Sequence, residues 1–254
     1  MQSGFKTIVA VGGDGTINEV LNGMIDDDRL VKPDCALGII PAGTGGDFRR
    51  NFDLSGKIMK EIERISKRKT ETVDVGKARF KHNVRSAERY FLNVSSVGVS
   101  AKIARSVNEM GIWKKSGGKA AFLGTAINEI LKDSYYKMTL TWREESLTLD
   151  NANLAAVANG QYFGGGMKIA PHASLTDGLF DIIIIHDFPS VSMILNNLSI
   201  YRGTHLKNDR VKSFKTNHIS ISCKPLSGID MDGEVPGHVP VEYTCLKQIL
   251  PVIV

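Results

Sequence analysis

The sequence has few cysteines and contains no long apolar run. Its three cysteines, Cys35, Cys223 and Cys245, are widely separated and form no C-x-x-C pair, so neither a zinc site nor a disulfide framework is indicated. Apolar stretches such as residues 180–185 are far shorter than the ~20 residues of a membrane-spanning helix. The first residues also lack the basic and apolar segments of a signal peptide. These absences predict a protein of the reducing cytosol without a transmembrane segment.

The composition is that of an ordinary globular protein. The chain has 254 residues, of which 42% are hydrophobic and 23% are charged, enough for one large domain or two modest ones. The net charge of +5 is compatible with an anionic membrane surface or a phosphate-rich ligand. Because no RRM or KH signature is present, no nucleic-acid partner is predicted. The oligomeric state stays open, with a homodimer as one alternative.

A glycine-rich segment near the start has the pattern of a strand, a loop and a helix. Residues 7–11 (TIVAV) predict a strand buried on both faces of a parallel sheet, and residues 12–16 (GGDGT) form a glycine turn. The apolar positions of the next segment recur at the spacing of one helix face: Ile17, Val20, Leu21 and Met24. Such a turn favours phosphate binding, because backbone N–H groups at the helix start can face an anion. Asp14 is then either a helix cap or turn residue, or a carboxylate beside a phosphate-bound metal ion.

The same pattern recurs once. Residues 36–40 (ALGII) predict a second strand, followed by a second glycine loop at 41–46 and the pair Arg49 and Arg50. Two such units in tandem indicate a parallel α/β layer, with both loops at the edge where ligands bind. Since a central strand rarely opens a chain, TIVAV is either an edge strand or preceded by chain that lies before Met1.

The remainder of the chain has the pattern of an antiparallel β domain. Short alternating runs from residue 71 onward predict strands separated by turns, with helices near 100–109, 119–132 and 195–201. The predicted strands include 90–94, 137–142, 154–158, 181–185 and 218–223. We therefore predict an α/β plus all-β protein, with domains at 1–70 and 71–254, and the last residues returning to the first domain.

Three polar patterns in this half have both a structural and a chemical interpretation. The triple glycine 164–166 indicates either a bulge or close backbone approach near a cleft. Asp177 and Gly178 indicate either a plain turn or an oxygen-ligand cation site. Asp230, Asp232 and Glu234 alternate, so in an extended strand they share one side and suit acid–base or magnesium chemistry, whereas a solvated acidic turn is the alternative.

Several motifs together resemble the diacylglycerol kinase catalytic-domain family, which includes bacterial lipid kinases, sphingosine kinases and ceramide kinases. The second loop distinguishes this family from NAD kinases and phosphofructokinases, although Gly46 stands where the family usually has asparagine. The resemblance implies a parallel nucleotide-binding domain of the phosphofructokinase and NAD kinase type, lacking its first βα unit, followed by a β-sandwich. The matching segments are GGDGTINEVLNG (12–23), PAGTGGDFRR (41–50), FLNVSSVGVSA (91–101), residues 159–181 and IDMDGE (229–234).

The resemblance also implies the chemistry and the site. ATP would lie across the loops 12–16 and 43–46, with Mg²⁺ on the phosphates near Asp14 and with Asp232 or Glu234 as the general base. A second, structural Mg²⁺ would be held by Asp177 and backbone oxygens of Ser174 and Leu179. The implied catalytic residues are Asp232, Glu234 and Asp14. The implied nucleotide-binding residues are Gly12, Gly13, Asp14, Gly15, Thr16, Asn18, Glu19, Gly43 and Thr44.

The function implied is phosphoryl transfer from ATP to a lipid hydroxyl, with diacylglycerol as the first candidate. The lipid would enter from a membrane surface, where a cytoplasmic protein docks peripherally. Three alternatives stay open: a sphingoid-base kinase, a soluble-metabolite kinase of NAD kinase type, and a non-catalytic binder of nucleotide or lipid. The last is motivated by the early position of the first strand, since family members begin with a further βα unit.

Overall fold

A computed structural model describes residues 4–43, 46–52, 54–82, 85–109, 118–132, 135–195 and 197–254. The strands are β1 (Thr7–Gly12), β2 (Ile25–Asp26), β3 (Arg29–Leu30), β4 (Ala36–Pro41), β5 (Thr70–His82), β6 (Arg85–Phe91), β7 (Val94–Gly98), β8 (Tyr136–Trp142), β9 (Glu145–Ala158), β10 (Phe180–His186), β11 (Val211–Thr216), β12 (His218–Lys224), β13 (Gly228–Met231) and β14 (Glu234–Ile253). The α-helices are α1 (Asp14–Met24), α2 (Ile58–Lys67), α3 (Val99–Glu109), α4 (Gly118–Leu131), α5 (Ser190–Leu195) and α6 (Asn197–Tyr201), with 3-10 turns at Phe48–Phe52 and His205–Lys207.

The first part of the chain is the predicted parallel layer. β1 and β4 pair in parallel, from Thr7 opposite Ala36 to Gly12 opposite Pro41, and α1 lies between them in the chain. The apolar face of α1 is buried, as its spacing predicts, because Ile17, Leu21 and Met24 pack into one cluster with β4.

The prediction that β1 is buried on both faces is wrong. Val9 is 38% exposed and Val11 is 59% exposed, whereas Ala10 on the opposite face is 1% exposed. The physical reason is position, since β1 lies at the edge of the described sheet and only its Ala10 face packs against α1 and β4. The apolar run led to the prediction of a strand buried on both faces, because valine is favoured in strands even where one face is exposed.

The rest of the chain forms a closed antiparallel arrangement. The hydrogen-bonded circuit runs from β14 through β12, β8, β9, β7 and β13 back to β14, and every pairing in it is antiparallel. Its core contains stacked and edge-on aromatic rings, with centroids of Phe91 and Phe180 5.7 Å apart and those of Phe91 and Tyr243 5.9 Å apart. The predicted fold class, a parallel α/β layer followed by an antiparallel β domain, is confirmed.

The long strand β14 connects the two parts. It pairs with β5 in antiparallel fashion along most of its length, and near its end Val252 lies opposite Leu37 of β4 in parallel. Leu250 and Val252 are buried in the same cluster as α1 and β4. A domain boundary at residue 70 stays a prediction, since this strand gives the two parts a common sheet.

Helices cover one face of the β domain. Ile103 of α3, Ile130 of α4 and Ile200 of α6 pack against a buried cluster that includes Ile183 and Ile185 of β10. The helices predicted near 100–109 and 119–132 are confirmed, and the predicted helix at 195–201 corresponds to α6. Within the described residues, no helix combines the length and apolar character needed to cross a lipid bilayer.

Candidate active site

The two glycine loops touch backbone to backbone. The N–H of Ala42 donates to the carbonyl of Gly12 at 2.9 Å. A Cβ atom on Gly43 would lie 2.4 Å from the Cα of Gly13, which is closer than any real contact. Position 43 therefore requires glycine for steric reasons, and the loops at the carboxyl ends of β1 and β4 form one surface made of backbone atoms.

Helix α1 begins at this surface without a side-chain cap. Its N-cap residue is Gly13, and no side chain accepts a hydrogen bond there. The first N–H groups of an α-helix have no partner within the helix, and together they favour an anion. The structure thus retains the feature that the sequence pattern predicts for phosphate binding.

Asp14 joins the two loops. Its two carboxylate oxygens accept the N–H groups of Asp47 at 2.9 Å and Phe48 at 3.0 Å. Asp14 thus stabilises the loop after β4 and does not cap its own helix. A carboxylate with two amide donors keeps lone pairs for a cation, so a role near magnesium stays a prediction.

The Asp230–Glu234 segment is a turn and not an extended strand. Asp232 and Gly233 have φ angles of 48° and 92°, and they separate β13 from β14. The extended backbone on which a shared side for the three carboxylates depended is therefore absent from this segment. The alternative of a solvated acidic turn is also wrong for Asp230, which is 8% exposed.

Asp232 is held by donors from three elements. Its carboxylate accepts the N–H groups of Leu92, Asn93 and Val94 at 2.9 to 3.2 Å. It also accepts the amide of Asn18 on α1 at 3.0 Å. The prediction of a single strand at 90–94 is wrong, because β6 ends at Phe91 and β7 begins at Val94. Between them the backbone N–H groups donate to a carboxylate instead of a neighbouring strand.

Glu234 differs from its two acidic neighbours. Its Oε1 lies next to Gly15, at 3.4 Å from where a Cβ of that glycine would be. The Glu234 side chain is partly exposed and makes no hydrogen bond or ion pair with another described residue. The structure therefore brings an unpaired carboxylate to the glycine surface.

Asp230 is the buried carboxylate of the same turn. It accepts the hydroxyl of Ser96 and the N–H of Gly233, each at 3.0 Å. Burial, together with the nearby charges of Asp232 and Glu234, raises the pKa of Asp230 to about 7 despite those two donors. Asp230 thus fixes the turn that presents Glu234.

An asparagine pair on α1 connects the loops to the β domain. Asn18 donates to the carbonyl of Tyr90, and its own oxygen accepts the guanidinium of Arg89 at 2.8 Å. Asn22, one helical turn later, exchanges hydrogen bonds with the backbone of Tyr90. Sequence reasoning missed Asn22 and Arg89. Two buried or half-buried asparagines four residues apart on an otherwise apolar helix face were the available signal.

The triple glycine lies against the second loop. All three glycines have positive φ angles, and the N–H of Gly165 donates to Asp47 at 2.7 Å. Burial raises the pKa of Asp47 to about 6, although Gly165 and Arg50 oppose that rise. Next to it is a cavity of about 260 Å³. Four residues line this cavity: Arg49, Arg50, Leu54 and Tyr162. Asp47 was not singled out from sequence, and its position one residue after the Gly-Gly pair was the signal.

The remaining predicted residues are placed as follows. Thr16 and Glu19 are exposed on α1, on the side that faces away from the apolar cluster. Thr44 lies outside the described residues. The predicted metal-binding residues Ser174, Asp177 and Leu179 lie in the turn before β10, where Asp177 pairs with Lys215 at 2.8 Å. This turn is separate from the glycine loops, since none of the three residues contacts those loops in the described structure.

Comparison with known proteins agrees with this geometry. Residues 1–78 match the model of the diacylglycerol kinase catalytic domain, and residues 93–254 match that of the YegS C-terminal NAD kinase beta sandwich-like domain. The chain is 29% identical to the "Putative lipid kinase YtlR" of Bacillus subtilis over 92% of this chain and 76% of that protein. It is 27% identical to the diacylglycerol kinase of Staphylococcus carnosus over 99% and 78%.

A solved structure gives the same result. The crystal structure described as a "putative diacylglycerol kinase from Bacillus anthracis" superposes with a TM-score of 0.75 at 26% identity, covering 98% of this chain and 78% of the other. Two adjoining family models, one matching more than half of the chain, together with these relatives establish the relationship. The chain belongs to the diacylglycerol kinase catalytic-domain family of lipid kinases.

Proposed function

We propose that the protein transfers the γ-phosphoryl group of ATP to a lipid hydroxyl in a magnesium-dependent reaction, with diacylglycerol as the acceptor. Family membership supports the lipid kinase class, and the name of the Staphylococcus carnosus relative supports the acceptor. The observation that carries the proposal is Glu234, an unpaired carboxylate beside a glycine surface that suits phosphate.

The nucleotide-binding part of the proposal rests on backbone geometry. Residues 12–16 and Gly43 offer a surface with little side-chain bulk, and the uncapped start of α1 offers N–H groups to the phosphates. Thr44 is proposed to contribute from the same loop. Asp14 positions the second loop through its bonds to Asp47 and Phe48, and its remaining lone pairs suit a magnesium ion. These donors fit a nucleotide bound with magnesium.

The proposed chemistry needs positioning and one proton acceptor. Bound ATP with magnesium supplies the transferable phosphoryl group and neutralises much of its charge. Glu234 accepts the proton of the lipid hydroxyl, because no other group in the described structure uses its oxygens. Asp232 is a positioning residue in this proposal, since four N–H donors already surround its carboxylate.

The proposed setting is a membrane surface. The chain carries a net charge of +5, and Arg49 and Arg50 line an open cavity beside the second loop. Basic residues near a bilayer are attracted to anionic lipids by about 1 kcal/mol each. We therefore propose peripheral docking of the cleft on the membrane, from which the lipid hydroxyl reaches Glu234.

The test is label transfer from radiolabelled ATP in detergent micelles. Micelles carrying diacylglycerol, micelles carrying a sphingoid base and empty micelles distinguish the alternatives. The proposal expects labelled lipid in the diacylglycerol arm that disappears when magnesium is chelated. Transfer to the sphingoid base alone would reassign the acceptor, lipid-independent transfer would indicate a soluble-metabolite kinase, and no transfer in any arm would contradict enzymatic activity.

A further inference from the structure

Three carboxylates surround the turn before β10, away from the glycine loops. Asp177 lies in the turn, Asp181 lies on β10, and Asp74 lies on β5. Asp74 is fully buried, and its two oxygens accept the N–H groups of Gly178 at 2.6 Å and Gln248 at 2.7 Å. Backbone amides thus engage both oxygens of Asp74, but they do not engage both oxygens of Asp177 or Asp181.

Lys215 pairs with both of the others. Its ammonium lies 2.8 Å from the Oδ2 of Asp177 and 3.2 Å from the Oδ2 of Asp181. It also reaches the carbonyl of His172 at 3.5 Å. The contacts to Asp177 and His172 are hydrogen bonds, whereas the contact to the buried Oδ2 of Asp181 is an ion pair. The ammonium is therefore shared between two carboxylates, while the Lys215 side chain stays 38% exposed.

The strand register fixes the lysine in this place. Asp181 of β10 and Lys215 of β11 are directly opposite each other in the antiparallel pair. Opposite residues of such a pair have neighbouring side chains, so the contact follows from the register and needs no rearrangement. Asp177, four residues before Asp181, then brings its carboxylate to the same ammonium.

This arrangement does not fit the structural magnesium that the family resemblance implies. Asp177 is the single charged ligand in the implied set with Ser174 and Leu179, and its carboxylate is shared with Lys215, while its Oδ1 accepts the N–H of Leu179. A divalent ion on the same carboxylate would stand close to the ammonium and be repelled by it. Among the described residues, moreover, no group of three acidic, histidine or cysteine side chains is arranged to hold a metal.

We propose that the Lys215 ammonium takes the place of a divalent cation at this turn. It joins Asp177 to Asp181 and so connects the turn to β10 and β11 without a bound metal. The folded protein then needs no magnesium here, and any magnesium requirement of the enzyme belongs to the nucleotide site alone.

The experiment is thermal unfolding of the full chain without nucleotide, in excess EDTA and in millimolar MgCl₂. We expect the wild-type Tm to be the same in both solutions. Lys215→Met should lower the Tm in EDTA by roughly 3–6 °C, because it leaves two carboxylates unpaired in a partly buried site. MgCl₂ should then recover part of that loss.

Two further variants keep the test sharp. Lys215→Arg retains the charge and should behave as wild type, with no response to MgCl₂. Lys137→Met removes an exposed lysine that pairs with Asp150 alone at 2.9 Å, and it should lower the Tm far less than Lys215→Met. A saturable increase of the wild-type Tm with MgCl₂ that Asp177→Asn abolishes would overturn the proposal. A Lys215→Met protein that shows no response to MgCl₂ would overturn it as well.

Discussion

The turn at 230–234 and the turn before β10 each gather several carboxylates, but they balance the negative charge in different ways. In the second cluster a lysine and backbone amides engage Asp74, Asp177 and Asp181. In the first cluster amides and a hydroxyl engage Asp230 and Asp232, whereas no residue of the described part of the chain binds the Glu234 oxygens beside Gly15. The difference separates a group held for structure from a group available for proton transfer.

The two carboxylate clusters also differ in where they lie relative to the glycine loops. Glu234 lies beside the glycine loops, and in the proposed reaction a cation paired permanently with it would compete with the magnesium of the nucleotide. Asp177 faces a strand pair, where Lys215 lies at the matching register position. A similar concentration of acidic residues is therefore proposed to serve proton transfer in one place, whereas it forms a stabilising contact in the other.

Glu234→Gln tests the role proposed for the unpaired carboxylate and has the largest expected effect. It removes the proton acceptor while preserving size, so we expect kcat for lipid-dependent transfer to fall by about 10²–10⁴. The Tm should stay within about 2 °C of wild type, because no partner in the described structure is lost. Glu63→Gln, on the exposed face of α2, is the matched control and should keep its activity. A Glu234→Gln enzyme of near-normal kcat would remove Glu234 from the proposed role.

Asp232→Asn tests the opposite case, a carboxylate used for structure. The new amide group would direct its own N–H toward N–H donors of Leu92, Asn93 and Val94. We expect the free energy of unfolding to fall by about 2–4 kcal/mol, measured by urea denaturation. The structural role is contradicted if Asp232→Asn leaves the free energy of unfolding unchanged and lowers only kcat, since that pattern is typical of a residue that acts on the substrate.

Gly43→Ala tests the contact between the two loops. The added Cβ would overlap the backbone of Gly13, so the loops must separate at a cost of about 1–3 kcal/mol in stability. We also expect the KM for ATP to rise by about tenfold or more, because the phosphate surface is displaced. Gly23→Ala is the control: its Cβ meets no atom within 4 Å, and alanine is favoured in a helix. Equal effects of the two substitutions would contradict the contact.

Asp47→Asn has the smallest expected effect, a change in stability that depends on pH. The pKa of Asp47 is raised from 3.8 to about 6 in the folded protein, chiefly by burial. The folded state therefore holds the proton more tightly than the unfolded state, and this contribution to stability is lost as the pH rises through about 6. The stability of wild type relative to Asp47→Asn should fall by on the order of 1–2 kcal/mol between pH 4 and pH 7.5. A difference that is independent of pH would show that Asp47 does not titrate in this range.

Local patterns in the sequence predict much of this fold. The apolar spacing of α1 and the alternation of the later strands depend on neighbouring residues, and both predictions are confirmed. The exposure of Val9 and Val11 and the break in the strand at Leu92 and Asn93 depend on distant contacts. Asp232, for example, lies about 140 residues from the N–H groups that it binds.

The site is predictable to a similar extent. Motif resemblance brought Glu234, Asp14 and the glycine loops into one hypothesis, but the residues alone did not distinguish the roles of Glu234 and Asp232. That distinction depends on four N–H donors that reach the Asp232 carboxylate from residues distant in the sequence. The pairing of Asp177 with Lys215 was likewise hidden, because it follows from the register of β10 and β11.

The most direct test of the account compares Glu234→Gln and Asp232→Asn in one assay, with kcat expressed per folded molecule and the free energy of unfolding measured on the same samples. We expect Glu234→Gln to lose activity by at least about 10² while keeping its stability, and Asp232→Asn to lose mainly stability. The reverse pattern, a stable but inactive Asp232→Asn beside an active Glu234→Gln, would contradict it.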